Sequence, residues 1–260
     1  MSKNQFYIGW RDDNDQDGWL KKFLMFLIVG SLLLIGLVSF VQRDFNDHVF
    51  ELGKYTEVTG VYFDRPVPML YVDEGFLPEG LSRDVLLIGY GKFGAEGIME
   101  KIKEKAGKLG GVRVSMSGTL IYGDGKTLLE LTKKEESFKL QYPGPRSRDI
   151  KNIMGEEVTM RGEILDPKCY FGVMKPGEGK VHKSCAIRCI SGGIPPVFRK
   201  NSTESENGYE YYILLGELGA KINHEILDRV GEQVEIKGQT GQFLNWKILY
   251  ASPDEIFALE

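Results

Sequence analysis

The sequence contains little of the chemistry that most enzymes use. Only three histidines and three cysteines occur among its 260 residues. No G-x-S-x-G or H-E-x-x-H motif is present, so neither a serine hydrolase nor a metalloprotease is indicated. The motif C-x-x-C-H of covalently bound haem and the C-x-H pair of Rieske clusters are also absent. We therefore assign no catalytic residue and favour a protein that is not an enzyme.

The chain also lacks an excess of positive charge. It carries 33 Lys and Arg against 37 Asp and Glu, a net charge of −4. Nucleic-acid-binding domains usually present a positive surface that neutralises phosphates. We therefore expect no nucleic-acid partner.

One long apolar run lies near the N-terminus. Residues 23–41 contain no charged side chain and are numerous enough to cross a bilayer as one helix. A cleavable signal peptide usually has a shorter apolar core, so we interpret the run as an uncleaved signal-anchor. Four basic residues precede it and two follow it closely: Lys3, Arg11, Lys21 and Lys22, then Arg43 and Lys54. The positive-inside rule then predicts a single-pass inner-membrane protein with a cytoplasmic lead, 1–22, and a periplasmic remainder, although the small charge difference leaves the reverse topology open.

The sequence after the anchor consists of two related halves. Three landmarks recur in the same order: GVYFD from Gly60 and GEILD from Gly162, G-x-x-G-A from Gly91 and from Gly216, and strands that end at Gly118 and Gly238. The first two landmarks lie about 23 residues farther apart in the second copy, and the added segment contains all three cysteines. Such a repeat predicts two copies of one small domain.

The apolar periodicity and turn residues of each half predict three strands, a helix and two further strands. The predicted strands are 56–63, 69–72, 85–90, 112–122 and 127–131 in the first half, with a helix at 95–105, and 158–166, 196–200, 209–215, 233–240 and 244–251 in the second half, with a helix at 222–230. This order is that of an OB-type barrel. We predict a mainly β (α+β) fold, an N-terminal transmembrane helix followed by two OB-like barrels, with another small barrel or an α+β pair as the alternative.

Domain boundaries follow from the repeat and from one segment rich in proline and glycine. We place the first domain at 52–141 and the second at 151–255. The run YPGPRSR begins the linker, 142–150, because proline and glycine continue neither a strand nor a helix. The Cys/His insertion occupies 167–192 of the second domain.

The insertion holds the clearest candidate site. His182, Cys185 and Cys189 are three and four residues apart, so on a helix they share one face. Cys169 lies at the end of the preceding strand, across a loop rich in glycine. Together the four side chains would form a Cys3His set of the kind that holds structural zinc, with copper or iron as alternatives. A closed metal site would stabilise the fold of an insertion that is too short to build its own core.

A disulfide is the competing interpretation of these cysteines. Thiols outside the cytoplasm are readily oxidised, so Cys169 would pair with Cys185 or Cys189 and leave one thiol over. A bond between Cys185 and Cys189 has poor geometry on a regular helix. The remaining thiol would be buried and inert, would take part in redox exchange, or would bind a metal weakly.

Glycines before the first helix match a dinucleotide-binding fingerprint. Gly89, Gly91 and Gly94 fit G-x-G-x-x-G and follow an apolar strand. The chain lacks repeated βαβ units, however, and the second half keeps only the G-x-x-G-A part of the pattern. We attribute these glycines to a tight turn and assign no cofactor-binding residue.

Four further polar residues have simple structural explanations. We expect His48 at the membrane interface, because it follows the anchor, and His224 on the surface of a helix. Asp64 and Asp166 end matched strands, where a short carboxylate commonly accepts a backbone N–H in a turn.

The second half resembles a known family. The runs GEILDPKCYFG and GKVHKSCAIRCISGGIPP, followed by YEYYILL and VEIKG, resemble an uncharacterised family of bacterial extracytoplasmic domains. Its members carry Cys-Tyr, a glycine-rich gap, His-x-x-Cys-Ala-x-x-Cys and a Gly-x-Pro turn. The resemblance covers about residues 157–251. It implies an exported OB-like domain and brings no known activity.

Two functions of different class fit these patterns. The first, which we favour, is an accessory module tethered to the membrane that binds a membrane or extracytoplasmic protein, a surface polymer or a metal. The second is a redox or electron-transfer partner of a membrane complex that uses the Cys/His cluster.

Overall fold

The computed structural model describes residues 17–41, 46–132, 138–140 and 153–259. The predicted linker at 142–150 and most of the predicted lead lie outside these residues. The chain divides into two compact units, Met1–Phe45 and Asn46–Glu260. In the first unit, helix α1 (Asp17–Val41) contains the predicted anchor and is long and apolar enough to cross a membrane.

Five strands of the second unit close a first barrel. They are β2 (Thr56–Phe63), β3 (Met69–Val72), β4 (Asp84–Ile88), β5 (Arg113–Gly123) and β6 (Lys126–Leu131), with helix α2 (Glu96–Ala106) between β4 and β5. Their order around the barrel is β5-β2-β3-β4-β6, and β6 pairs back onto β5. All pairs are antiparallel except β4 with β6. The short strands β1 (Val49–Phe50) and β7 (Phe138–Leu140) extend β5.

Five later strands close a second barrel with the same connectivity. They are β8 (Ile153–Leu165), β9 (Val197–Asn201), β10 (Tyr209–Leu215), β11 (Gln233–Phe243) and β12 (Trp246–Tyr250), while β13 (Ile256–Ala258) extends β11. The order is β11-β8-β9-β10-β12, closed by the pairing of β12 with β11, and only β10 and β12 are parallel. The predicted mainly β fold with two OB-like barrels is confirmed.

The insertion between β8 and β9 is ordered around two helical pieces. A π-helical turn (Cys169–Val173) follows β8, and helix α3 (Gly179–Ser191) precedes β9. Ala186 and Ile190 of α3 belong to the core of the second barrel. In the first barrel, Met99 and Ile102 of α2 belong to the corresponding core. Each barrel therefore receives one packed helix, but from different places in the chain.

The predicted helix at 222–230 is wrong. The segment forms turns and one short 3-10 helix, Leu227–Arg229. The side chain of Asn223 donates hydrogen bonds to the carbonyl oxygens of Ile190 (2.8 Å) and Ile194 (2.9 Å) at the end of α3. Helix α3 already packs on this barrel, and the hydrogen bonds of Asn223 hold the segment against the C-terminal end of α3. The segment therefore forms no regular helix there.

Three apolar cores explain the continuous apolar runs in the central strands. Each barrel encloses one core, and the surface between the barrels forms a third, shared core. In β4, Val85 and Leu87 face the interior of the first barrel, whereas Leu86 and Ile88 face the shared core. The strand β10 alternates in the same way: Tyr212 and Leu214 face the second barrel, and Tyr211, Ile213 and Leu215 face the shared core. Strands buried on both faces read as unbroken apolar runs rather than as alternating ones.

Candidate metal site between the barrels

The π-helical turn and α3 bring the cysteines together. Cys169 begins the turn, and Cys185 and Cys189 lie on α3 as predicted. The loop between these elements passes tightly over the turn, since a Cβ on Gly177 would lie 2.6 Å from the Cα of Tyr170. Only glycine permits this approach, which folds α3 back over Cys169.

The three thiols form one group. Their Sγ atoms lie within 4.8 Å of one another, and those of Cys169 and Cys185 are 3.8 Å apart. A disulfide requires about 2.05 Å. Two thiolates on one tetrahedral zinc ion, each about 2.3 Å from it, lie about 3.8 Å apart. The three are free thiols here, and the 3.8 Å separation of Cys169 and Cys185 matches both an S–H···S contact and two thiolates on one ion.

His182 lies in a second group, with Asp166 and Cys169. The ligand atoms of these three residues are also within 4.8 Å of one another, so Cys169 is common to both groups. The imidazole is 3 % exposed and the carboxylate is fully buried. Neither ring nitrogen of His182, nor Oδ2 of Asp166, has a hydrogen-bond partner among the described residues. Buried polar atoms without partners are rare in proteins and commonly mark an ion or a water.

Asp166 is the site residue that sequence reasoning missed. Its Oδ1 does accept the backbone N–H of Lys168 (3.0 Å), as expected of a turn carboxylate. Its Oδ2 belongs with His182 and Cys169. The available signal was its place three residues before Cys169, which alone does not separate a turn residue from a site residue.

Burial controls the protonation of the cluster. It lowers the pKa of His182, although Asp166 opposes this effect, so the imidazole is held neutral, the form that binds metals. A hydrogen bond with Cys189, then burial, then the charge of Asp166 raise the pKa of Cys169. Without a cation this thiol stays protonated, whereas a bound metal would favour the thiolate.

The first barrel contributes a lysine to the site. Lys92 Nζ donates a hydrogen bond to Cys185 Sγ at 2.9 Å. This bond raises the pKa of Lys92, while burial acts in the opposite direction. Cys185 is partly exposed, unlike the two buried cysteines. No pattern near Lys92 predicted the contact, because it depends on how the two barrels pack.

Glycines on both sides of the junction allow the loop of Lys92 to reach α3. The N–H of Gly94 donates to the carbonyl oxygen of Gly192 at 3.0 Å. A Cβ on Gly94 would lie 2.1 Å from the Gly193 oxygen, and one on Gly192 would lie 1.9 Å from the Lys92 oxygen. The glycines that resemble a dinucleotide fingerprint are therefore required, at least at Gly94, by contact between the barrels.

Two buried polar contacts fix the insertion against the first barrel. Lys168 Nζ lies 2.5 Å from Glu130 Oε1. His48 Nδ1 lies 3.0 Å from the backbone carbonyl oxygen of Tyr170, and its Nε2 lies 3.0 Å from Asp124 Oδ2. The expectation that His48 lies at the membrane interface is wrong, because its side chain is buried in this junction.

The insertion is also better packed than its length suggests. Tyr170 and Phe171 of the turn and Cys189 of α3 belong to the shared core. The segment builds no core of its own, as expected, but packs into the shared core and, through Ala186 and Ile190, into the core of the second barrel. His224, predicted to lie on the surface, is exposed, although not on a helix.

Comparisons of this chain with protein-family models, with curated proteins and with solved structures find no match.

Proposed function

We propose that the protein is a membrane-anchored accessory module whose Cys/His cluster binds one structural zinc ion. In this proposal α1 is the anchor, the N-terminus lies in the cytoplasm, and the two barrels lie in the periplasm. The length and apolar composition of α1 support the anchor. The basic residues on its N-terminal side support the orientation.

The donor set is the observation that carries the metal proposal. The Sγ atoms of Cys169 and Cys185 have the 3.8 Å separation of two thiolate ligands, and that of Cys189 lies within 4.8 Å of both. His182 groups with Cys169 and Asp166 rather than with all three cysteines, and it offers a buried, neutral imidazole with no hydrogen-bond partner among the described residues. Zinc prefers such sulfur and nitrogen donors in a tetrahedron. When bound, the ion would cross-link the π-helical turn to α3. Four protein ligands leave no coordination position for a substrate, which favours a role in structure over catalysis.

A rigid junction between the barrels suits a protein that presents a surface to a partner. Phe93, next to Lys92, is 66 % exposed, and Val181, next to His182, is 83 % exposed. Exposed aromatic and aliphatic side chains are common at protein interfaces. The partner that we propose is a membrane or extracytoplasmic protein.

One observation favours a second function. Cys185 is partly exposed and accepts a hydrogen bond from the Lys92 ammonium, and a neighbouring cation favours the reactive thiolate. The protein would then exchange thiol equivalents or electrons with a membrane complex. In that case Cys185 is the working residue, and the cluster is not a closed metal site.

Metal analysis of the full chain tests these functions. The protein is purified in mild detergent without chelators, and its metals are measured by mass spectrometry. We expect about one zinc ion per chain, lost in Cys189→Ser and in His182→Ala. His224→Ala is the matched control, because it removes an exposed imidazole, and it should keep the metal. No metal in the wild type together with a mapped disulfide would reject the zinc site. A wild type that holds no metal as purified, and whose Cys185 exchanges reversibly with a small-molecule disulfide, would support the redox function.

A further inference from the structure

Asp166 and Asp64 occupy matched positions in the two halves but have different surroundings. Asp64 follows β2, and its side chain is 32 % exposed and lies 2.6 Å from Lys103 Nζ. Asp166 follows β8 and is fully buried. Removing a carboxylate from water is costly unless strong partners compensate. The buried carboxylate of Asp166 therefore requires a compensating partner that Asp64, at the matched position of the first copy, has in Lys103.

The turn after β8 does not by itself explain an aspartate. Only Oδ1 takes part in it, by accepting the N–H of Lys168. Asparagine or serine would accept the same hydrogen bond without burying a charge. The second oxygen, Oδ2, is buried without a partner among the described residues. The polar groups near enough to become its partner are those of Cys169 and His182, whose ligand atoms lie within 4.8 Å of the carboxylate.

The imidazole of His182 presents the complementary need. Both of its nitrogens are buried, and neither has a partner among the described residues. A metal ion uses the lone pair of one nitrogen and leaves the other as an N–H donor. In metal sites this N–H usually donates to a carboxylate or a carbonyl oxygen, which fixes the tautomer and the direction of the ring.

We propose that Asp166 is a positioning residue that accepts the free N–H of His182 and so presents the other nitrogen to the metal. The inference rests on the metal site proposed above, and it adds a residue to that site. One arrangement then satisfies all three orphaned atoms: one nitrogen binds the ion, and the other donates to Oδ2. Asp166 also links the turn that carries Cys169 to the helix that carries His182.

The proposal predicts a specific effect of Asp166→Asn. The amide oxygen would keep the hydrogen bond from Lys168, so its NH2 group would face His182. An NH2 group donates and does not accept, so the ring would have to turn its unprotonated nitrogen toward the amide and its N–H toward the metal. Loss of such partners usually weakens metal binding by about 10- to 100-fold.

Zinc affinity of the full chain in detergent is measured by competition with a chromophoric chelator. We expect Asp166→Asn to bind zinc about 10- to 100-fold more weakly than the wild type and Asp166→Glu to recover part of the loss. Asp64→Asn, the matched control from the first copy, should bind as the wild type does. Equal affinities in Asp166→Asn and the wild type would refute the role of Asp166 alone. Two ions in the wild type and one in Asp166→Asn would also refute it, because Asp166 would then be a ligand. A wild type without zinc would overturn the metal site itself.

Nitrogen NMR of the unmutated chain gives a second test if Asp166→Asn does not fold. The chain has three histidines, so labelling with 15N-histidine and comparison with His182→Gln identify the signals of His182. With zinc bound, we expect one nitrogen to be metal-bound and the other to carry a proton held in a single tautomer. A mixture of tautomers, or a second nitrogen without a proton, would contradict the proposal.

Discussion

Replacing either partner of the buried pair Lys168–Glu130 should destabilise the protein far more than replacing both. The side chains are 7 % and 9 % exposed and 2.5 Å apart. Gly91 completes the contact, since its oxygen accepts from Lys168 and its N–H donates to Glu130 at 2.9 Å. Lys168→Met leaves a buried carboxylate without its cation, which usually costs about 3–5 kcal/mol. In Lys168→Met/Glu130→Gln no lone charge remains and the amide oxygen still accepts from Gly91, so we expect a cost of about 2 kcal/mol or less.

Urea unfolding of residues 46–260 measures these free energies. Trp246 is the only tryptophan in this compact unit and is 1 % exposed, so its fluorescence reports unfolding. The double-mutant cycle should give a coupling of about 2 kcal/mol or more. The surface pair Arg161–Glu235, with side chains 73 % and 31 % exposed, is the control and should couple by less than about 1 kcal/mol. Equal coupling in the two pairs would refute the argument that burial makes the Lys168–Glu130 contact critical.

Three further predictions concern packing, pH and thiol chemistry. Gly94→Ala should destabilise the same fragment by about 3 kcal/mol or more, because its Cβ would meet a backbone oxygen at 2.1 Å. Gly97→Ala, at an exposed position in the first turn of α2, should stabilise it by up to about 1 kcal/mol, because alanine favours a helix more than glycine does. Burial alone would raise the pKa of Glu210, but hydrogen bonds led by that from Lys247 hold it at about 2, below its ordinary 4.5. Glu210→Gln should therefore cost about 1–2 kcal/mol in urea unfolding at pH 7; the difference should disappear as the pH falls from about 4.5 toward about 2, and a constant difference would contradict the assignment. In metal-free protein, Cys185 should react first with a thiol reagent, since the other two thiols are buried, and equal rates for all three would show that the cluster is open.

Much of the fold could be predicted because the strands carry strong local signals. The strands at 56–63, 69–72 and 209–215 have the predicted bounds, since short apolar runs there end at turn residues. The segment 222–230 shows why such signals fail. Ile222, Ile226 and Val230 have helical spacing and do enter the core, but α3 packs on the same barrel. Tertiary packing there overrides the local pattern.

The residues of the candidate site also divide into those that local sequence signals reveal and those that depend on tertiary packing. Cysteines and histidines could be recognised because soft ligands are rare in the chain and are clustered. Lys92 could not, because it reaches Cys185 from the other half of the repeat. Asp166 could not be told from Asp64, because the sequence marks both as turn residues and only their burial differs.

The shared core has a consequence for how the two copies of the repeat behave. In β4 and in β10, alternate side chains point into the strand's own barrel and into the shared core. The outer face of each of these strands is therefore covered by the other barrel. Pulling the barrels apart would expose apolar side chains to water, at a free energy proportional to the area uncovered. The duplicated halves are therefore not independently folding domains. We expect the two halves to unfold together, neither half to remain soluble when expressed alone, and a destabilising substitution in one half to destabilise the other.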